Sequence, residues 1–192
     1  LNAYKNSLDS KVTKYKIFKS KNFPYLDLLS KTAIIQNRKD NVKGLGITTI
    51  DLSNNIRINL KKTDFKHNEF LFRVSFGPGK KSEPVSKPGL AIVSESVIDS
   101  SGFGKLDMDQ LEETLAGRKI SIRFGINEDY FYLSGSSDSN EAELIVQLIY
   151  HYFNDTGMRK EALNLFKTRY KQNYDQIIRT PDGIMQIKGD LF

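Results

Sequence analysis

The sequence predicts an α+β fold: a two-layer sandwich with a largely antiparallel sheet and helices packed on one face. Three observations carry that expectation. Short runs with apolar residues at every second position fall in two groups. Turn residues separate neighbouring runs closely enough to make hairpins. Segments with apolar residues every three or four positions follow each group, so the element order reads β-β-β-α-α-β-β-α-α. Strands joined by hairpins disfavour a doubly wound nucleotide fold.

Residues 1–18 place Leu1, Tyr4, Leu8, Val12 and Tyr15 on one helical stripe. The segment reads as the C-terminal helix of a preceding domain. Residues 19–45 lack periodicity and read as a linker, in which Phe23-Pro24-Tyr25-Leu26 can dock on a surface. The first unit is therefore drawn as 1–45 and the second as 46–192, cut short at its C-terminus. Ile47–Leu52 is a β-rich run, and Ser53-Asn54-Asn55 is a turn because Asn tolerates positive φ. Ile56, Ile58 and Leu60 alternate with Arg57, Asn59 and Lys61, which completes a hairpin. From Glu69 to Phe76, Phe70, Phe72, Val74 and Phe76 share a face expected to lie under helices.

Gly77-Pro78-Gly79 ends that strand. A helix is expected over about 89–99, and another from Asp107 to Leu115, with Asp107 as N-cap and Gly117 closing it. Ile120, Ile122 and Phe124 mark a strand, Asn127-Glu128-Asp129 a turn, and 130–134 the returning strand. A long helix starts near Ser137–Ser139, with Leu144, Leu148 and Tyr152 on its apolar face. A second runs over about 158–178, with Ala162, Phe166 and Tyr170 at i+4 spacing. Thr180-Pro181-Asp182-Gly183 reads as a turn, and the last nine residues can begin another helix.

The chain of 192 residues has no cysteine, which excludes disulfides, thiolate metal sites and a cysteine nucleophile. No apolar run is long enough to span a bilayer. The start, Leu1-Asn2-Ala3-Tyr4-Lys5, lacks a signal-peptide core, and a chain opening on Leu reads as a piece of a longer polypeptide. Net charge is +6, divided as +11 over residues 1–81 and −5 over 82–192. A basic half can meet nucleic acid, an anionic surface or an acidic partner. The lysines form no stripe with interleaved aromatics, so a solvated face is the favoured reading and a nucleic-acid partner is not expected.

Gly77-Pro78-Gly79-Lys80-Lys81-Ser82 fails the phosphate-loop pattern, since Val74 holds the first glycine position. Gly102-Phe103-Gly104 does not complete a dinucleotide fingerprint, because position 107 is Asp. The acids Asp107, Asp109, Glu112 and Glu113 fit a helix start and body. The two histidines, His67 and His151, lie far apart in sequence and read as surface or interface residues.

The segment Gly89-Leu90-Ala91-Ile92-Val93-Ser94-Glu95-Ser96 carries more information. An H-x-x-E-H zinc helix sets two imidazoles one turn apart, with a glutamate as general base. Here Ile92 and Ser96 stand at the two ligand positions and only Glu95 remains. A carboxylate alone cannot make hydroxide at neutral pH.

Other segments agree with that reading. Leu52-Ser53-Asn54-Asn55-Ile56-Arg57-Ile58 resembles the L-x-N-G-[LI]-[RT]-[VI] hairpin of the insulinase/pitrilysin family of zinc metallopeptidases. Phe76-Gly77-Pro78-Gly79 with Glu83-Pro84 resembles that family's strand and G-S-x-x-E loop. Gly89-Leu90-Ala91 stands where active halves continue H-F-L-E-H, and Leu106–Gly117, Ser134-Gly135-Ser136 and Leu144–Phe153 also fit. Lys61-Lys62-Thr63-Asp64-Phe65-Lys66 looks most like the PqqL-like group of bacterial two-halved proteases.

The resemblance implies a noncatalytic repeat from the second half of such a protease. Ile92 and Ser96 replace the ligands, and Glu95, at the general-base position, reads as an exposed helix glutamate. The distant acidic ligand would fall near Tyr170-Lys171-Gln172-Asn173, where the nearest acid is Asp175. The repeat itself would then hold no metal or cofactor, and zinc is expected in the catalytic half of the parent. The implied partners are that catalytic half, on the same polypeptide, and an extended peptide substrate. The implied compartment is the bacterial periplasm or envelope. The alternatives are a pure scaffold of the processing-peptidase or core-subunit type, and a basic nucleic-acid-binding module.

Overall fold

The computed structural model describes residues 23–27, 32–183 and 185. The stripe at 1–18 and residues 186–192 lie outside them. The fold is α+β, with two small antiparallel sheets and four main helices.

The first sheet joins β1 (Ile35–Lys39), β2 (Ile47–Leu52) and β3 (Arg57–Lys61) in that order. The β2–β3 hairpin pairs Ile50 with Ile58 and Asp51 with Arg57. Asn55 closes the turn at φ 64°, the left-handed conformation that Asn accepts more readily than most residues. Cross-strand partners share a face. One face therefore carries Asn37, Thr49, Asp51, Arg57 and Asn59. It is laced together by Asn37 Nδ2 donating to Asp51 Oδ2 (3.2 Å), Arg57 Nε to Asp51 Oδ1 (2.6 Å) and Thr49 Oγ1 to Asn59 Oδ1 (2.9 Å). The other face carries Ile35, Ile50, Leu52, Ile58 and Leu60. β1 falls inside the stretch read as linker. All five of its residues are exposed, and an exposed edge needs no apolar alternation, so periodicity gave no sign of it.

The second sheet has the order β4-β6-β5, from β4 (Glu69–Phe76), β5 (Ile120–Ile126) and β6 (Phe131–Asp138). The single sheet expected from the sequence is thus divided in two. β4 does not extend the hairpin before it; it pairs with β6, from Glu69 opposite Asp138 to Phe76 opposite Phe131. Along β4 the side chains alternate exposed and half-buried, with Phe70, Phe72, Val74 and Phe76 inward, as the alternation predicts. β6 runs to Asp138, four residues beyond the expected end.

Two helices, α1 (Leu90–Ser101) and α2 (Met108–Leu115), lie between β4 and β5, and two more, α3 (Ala142–Asn154) and α4 (Lys160–Ile177), follow β6. Asp107 caps α2 as expected. Its carboxylate accepts from Gln110 N (2.8 Å), while Gln110 Oε1 accepts from Asp107 N (3.3 Å), a reciprocal capping box. The turn expected at 180–183 is displaced: residues from Pro181 are helical, and Thr180 Oγ1 accepts from Gly183 N (3.2 Å) as an N-cap.

The core lies between the second sheet and the helices. Phe103, Leu106, Leu111, Ile145 and Leu148 are buried together, with Phe70, Phe72, Ile120 and Ile122 packed against them. α1 and α3 rest on this sheet and α4 on α1. Among the described residues no helix is long and apolar enough to cross a membrane.

Candidate functional site

The segment after β4 sets the position of α1. Gly79 adopts φ 64°, and a Cβ there would meet Asn127 O at 2.3 Å and Tyr130 N at 2.4 Å. Only glycine allows this approach of two backbones. Lys80 N donates to Asn127 O (2.8 Å) and Lys81 N to Glu128 O (3.1 Å). Lys80 pairs with Glu128, and Lys81 with Asp129. The segment resembling a phosphate loop is therefore a short 3₁₀ turn pinned to the β5–β6 hairpin tip. Its hydroxyl is also engaged, since Ser82 Oγ donates to Gly79 O (2.6 Å).

Glu83 then reaches the start of α1. Its Oε1 accepts from Gly89 N (2.8 Å) and its Oε2 from Ala91 N (2.7 Å). These two donors, Ala91 N first, hold the carboxyl below its ordinary range. Gly89 precedes the helix at φ 85°, where the chain must turn sharply.

Three surfaces of α1 differ. Val97 and Ser101 are buried toward the core. Leu90, Ala91, Ser94 and Ile98 line an open cavity of about 360 Å³, whose other walls are the 79–84 segment, aromatic and aliphatic residues of the second sheet and the end of α3. Ile92, Glu95 and Ser96 do not line it. At 100° per residue, Ile92 and Ser96 project from the side away from the cavity. Ile92 is exposed (55%), and Glu95 and Ser96 are half-exposed, so Glu95 is less open than the sequence reading had it. One turn further on, Asp99 Oδ1 accepts from Phe124 N (2.8 Å). Burial raises the pKa of Asp99, and Glu95 adds to the rise.

The structure brings α1 and α4 side by side. Among the described residues no three His, Asp or Glu side chains gather in a way that could hold a metal.

His151 requires a correction. Read as a surface or interface residue, it is fully buried, in a cage of Phe23 (4.7 Å between centroids), Tyr25 (4.6 Å) and Phe103 (5.2 Å). Its Nδ1 lies 2.7 Å from Gln147 O, one turn back, so Nδ1 carries the hydrogen; Nε2 has no partner among the described residues. Burial lowers its pKa. The cage also bears out the docking expected of Phe23-Pro24-Tyr25. The Tyr25 hydroxyl donates to Asp155 Oδ2 (2.5 Å) and accepts from Lys105 N (3.2 Å). Burial, then the bond to Asp155, pushes its pKa up to about 12.

The Gly102-Phe103-Gly104 segment also has a structural task. The Arg159 guanidinium donates to Ser101 O (2.8 Å), Phe103 O (2.8 Å) and Gly104 O (3.1 Å). A Cβ on Gly102 would meet Leu106 O at 2.5 Å. Sequence reasoning missed this knot between α1 and α4, because carbonyl cradles leave no side-chain signature.

No family model matches the sequence, and no curated protein does. Solved structures do. The periplasmic protease PqqL from Escherichia coli superposes with a TM-score of 0.72 at 19% identity, over 95% of this chain and 20% of that one. The ferredoxin protease FusC, solved in complex with Arabidopsis ferredoxin, superposes with a TM-score of 0.69 at 12% identity, over 96% of this chain and 20% of that one. The chain thus spans about a fifth of each protein it matches, and it has the fold of one domain of these pitrilysin-like proteases.

Proposed function

We propose that this chain is a noncatalytic α+β repeat of a pitrilysin-like zinc protease, forming a wall of the peptide chamber and closing against the catalytic half. The observation that carries this reading is the likeness of nearly the whole chain to a fifth of two proteases, joined to Ile92 and Ser96 at the ligand positions of the zinc helix. A sec-butyl group and a hydroxymethyl group offer zinc no imidazole. Asp175 on α4 is the nearest acid to the expected third ligand position, and it stands alone there. These residues do not fit a zinc ion, so no step is assigned to one in this repeat. Zinc belongs, on this reading, to the catalytic half. A bacterial envelope location is part of the same proposal.

The physical role left is to receive peptide. β4 is an edge strand of the second sheet, and an extended peptide adds to such an edge by main-chain hydrogen bonds with little sequence demand. β5, the other edge, suits this less, because Asp99 occupies the Phe124 N–H.

The test is zinc titration by calorimetry, together with peptide hydrolysis by the purified chain. The expected outcome is no stoichiometric zinc uptake and no cleavage, with an intact H-x-x-E-H in the parent polypeptide. One zinc per chain with peptidase activity would overturn the reading. A parent without any intact motif would favour the pure scaffold.

A further inference from the structure

The cavity beside α1 has two hydroxyls without partners among otherwise committed groups. Lys80 is paired with Glu128, and Glu83 caps the helix. The Ser82 hydroxyl donates to Gly79 O and the Thr156 hydroxyl to Tyr152 O. Ser94 and Tyr152 also line the cavity, and neither hydroxyl has a hydrogen-bond partner among the described residues. Nor are they sealed in: the buried side-chain atoms without a partner are Gln147 Oε1 and His151 Nε2. Elsewhere the walls are rings and aliphatic chains, among them Phe76, Phe124 and Phe131.

An open apolar space of about 360 Å³ lies within the range of sites that take small ligands, about 300–1,000 Å³. Water in it finds few partners, so a ring that displaces water gains. The charged groups at the rim are already engaged, Lys80 by Glu128 and Glu83 by the first turn of α1, which disfavours an ionic occupant, and two hydroxyls without partners among the described residues favour one polar atom on an apolar body. The cavity wall includes Phe76 at the end of β4, a strand paired on one side only among the described residues, so a peptide added to that edge passes beside a residue of the wall.

We infer that this cavity is an anchor site for a tyrosine side chain of an extended peptide, with Ser94 and Tyr152 orienting its hydroxyl. The peptide source rests on the chamber reading above; the cavity chemistry does not.

The test follows amide and aromatic shifts of the intact chain by NMR during titration with three ligands: acetyl-Ala-Tyr-Ala-amide, p-cresol and toluene. Saturable shifts around Tyr152 and Phe131 are expected with the peptide and with p-cresol. Toluene should bind roughly three- to tenfold more weakly than p-cresol, the size of one net hydrogen bond. That gap should close in the Ser94→Ala/Tyr152→Phe variant. Ala91→Trp, which fills the cavity from α1, should abolish binding, and Ala91→Leu serves the same purpose if the larger ring prevents folding. Absence of saturable p-cresol binding, or binding unchanged in both filled variants, overturns the site. Binding of p-cresol without the peptide overturns the peptide assignment. Neither result depends on whether the chain binds zinc, so failure of the anchor and failure of the noncatalytic reading are separable.

Discussion

His151 titrates against its surroundings. Its neutral form, with hydrogen on Nδ1, suits the Gln147 carbonyl, whereas charging adds a proton at Nε2, which has no acceptor. Desolvation lowers the pKa and outweighs the Gln147 carbonyl and the Asp155 carboxylate, which act the other way. Tyr25, with Lys105 over its ring, and Phe103 complete the enclosure. The unfolded chain therefore takes up a proton before the folded one does. The stabilisation is complete above about pH 6.5 and is lost as pH falls below it toward the depressed folded value. Thermal melts should show midpoints that fall between about pH 7 and pH 5, and His151→Leu should flatten that fall. A wild-type midpoint constant over this interval would refute the argument. Glu83 acts in a separate, more acidic window, because its carboxyl lies below the ordinary range and loses its two backbone donors only there. Burial of His151 was illegible in the sequence, since a lone histidine beside Tyr150 and Tyr152 fits a wet helix face as readily as a cage. The residues that close the cage arrive from position 23 and position 103.

Among the elements, α2 is short and depends on its cap. Asp107→Ala should cost about 1 kcal/mol of unfolding free energy in chemical denaturation, and Asp107→Ser should restore most of it. Equal loss in both variants would show that the capping bond is not the cause. This cap was legible in sequence because it is local: donor and acceptor are three residues apart. The inward face of β4 was legible for the same reason, since period-two alternation reports which side is buried. Partner choice was not. β4 meets β6 some sixty residues later, and alternation carries no label for the strand opposite. β1 left no mark either, because its one apolar residue, Ile35, is followed by four exposed polar ones that satisfy no period. The α1 pattern was read correctly as a helix, yet its cavity face meets residues of three strands and α3, which no local pattern announces.

At the scale of the whole molecule the two sheets have unequal support. The second sheet packs under α1 and α3, while the first has its central strand only half-buried and Ile35, Ile56 and Leu60 about half-exposed (56%, 52% and 49%). Hydrogen exchange should therefore find the β2–β3 amides opening sooner than those of β6; equal protection would contradict this. Likeness to a fifth of two proteases was legible only as scattered weak positions, because 19% and 12% identity leave the fold intact while few side chains persist. The segment from Gly79 to Glu83 grips the β5–β6 tip at one end and the first turn of α1 at the other. It is a strut: its bonds fix the hairpin tip and the first turn of the helix to one another, and Gly79, Lys80, Ser82 and Glu83 of the same segment form part of the cavity wall.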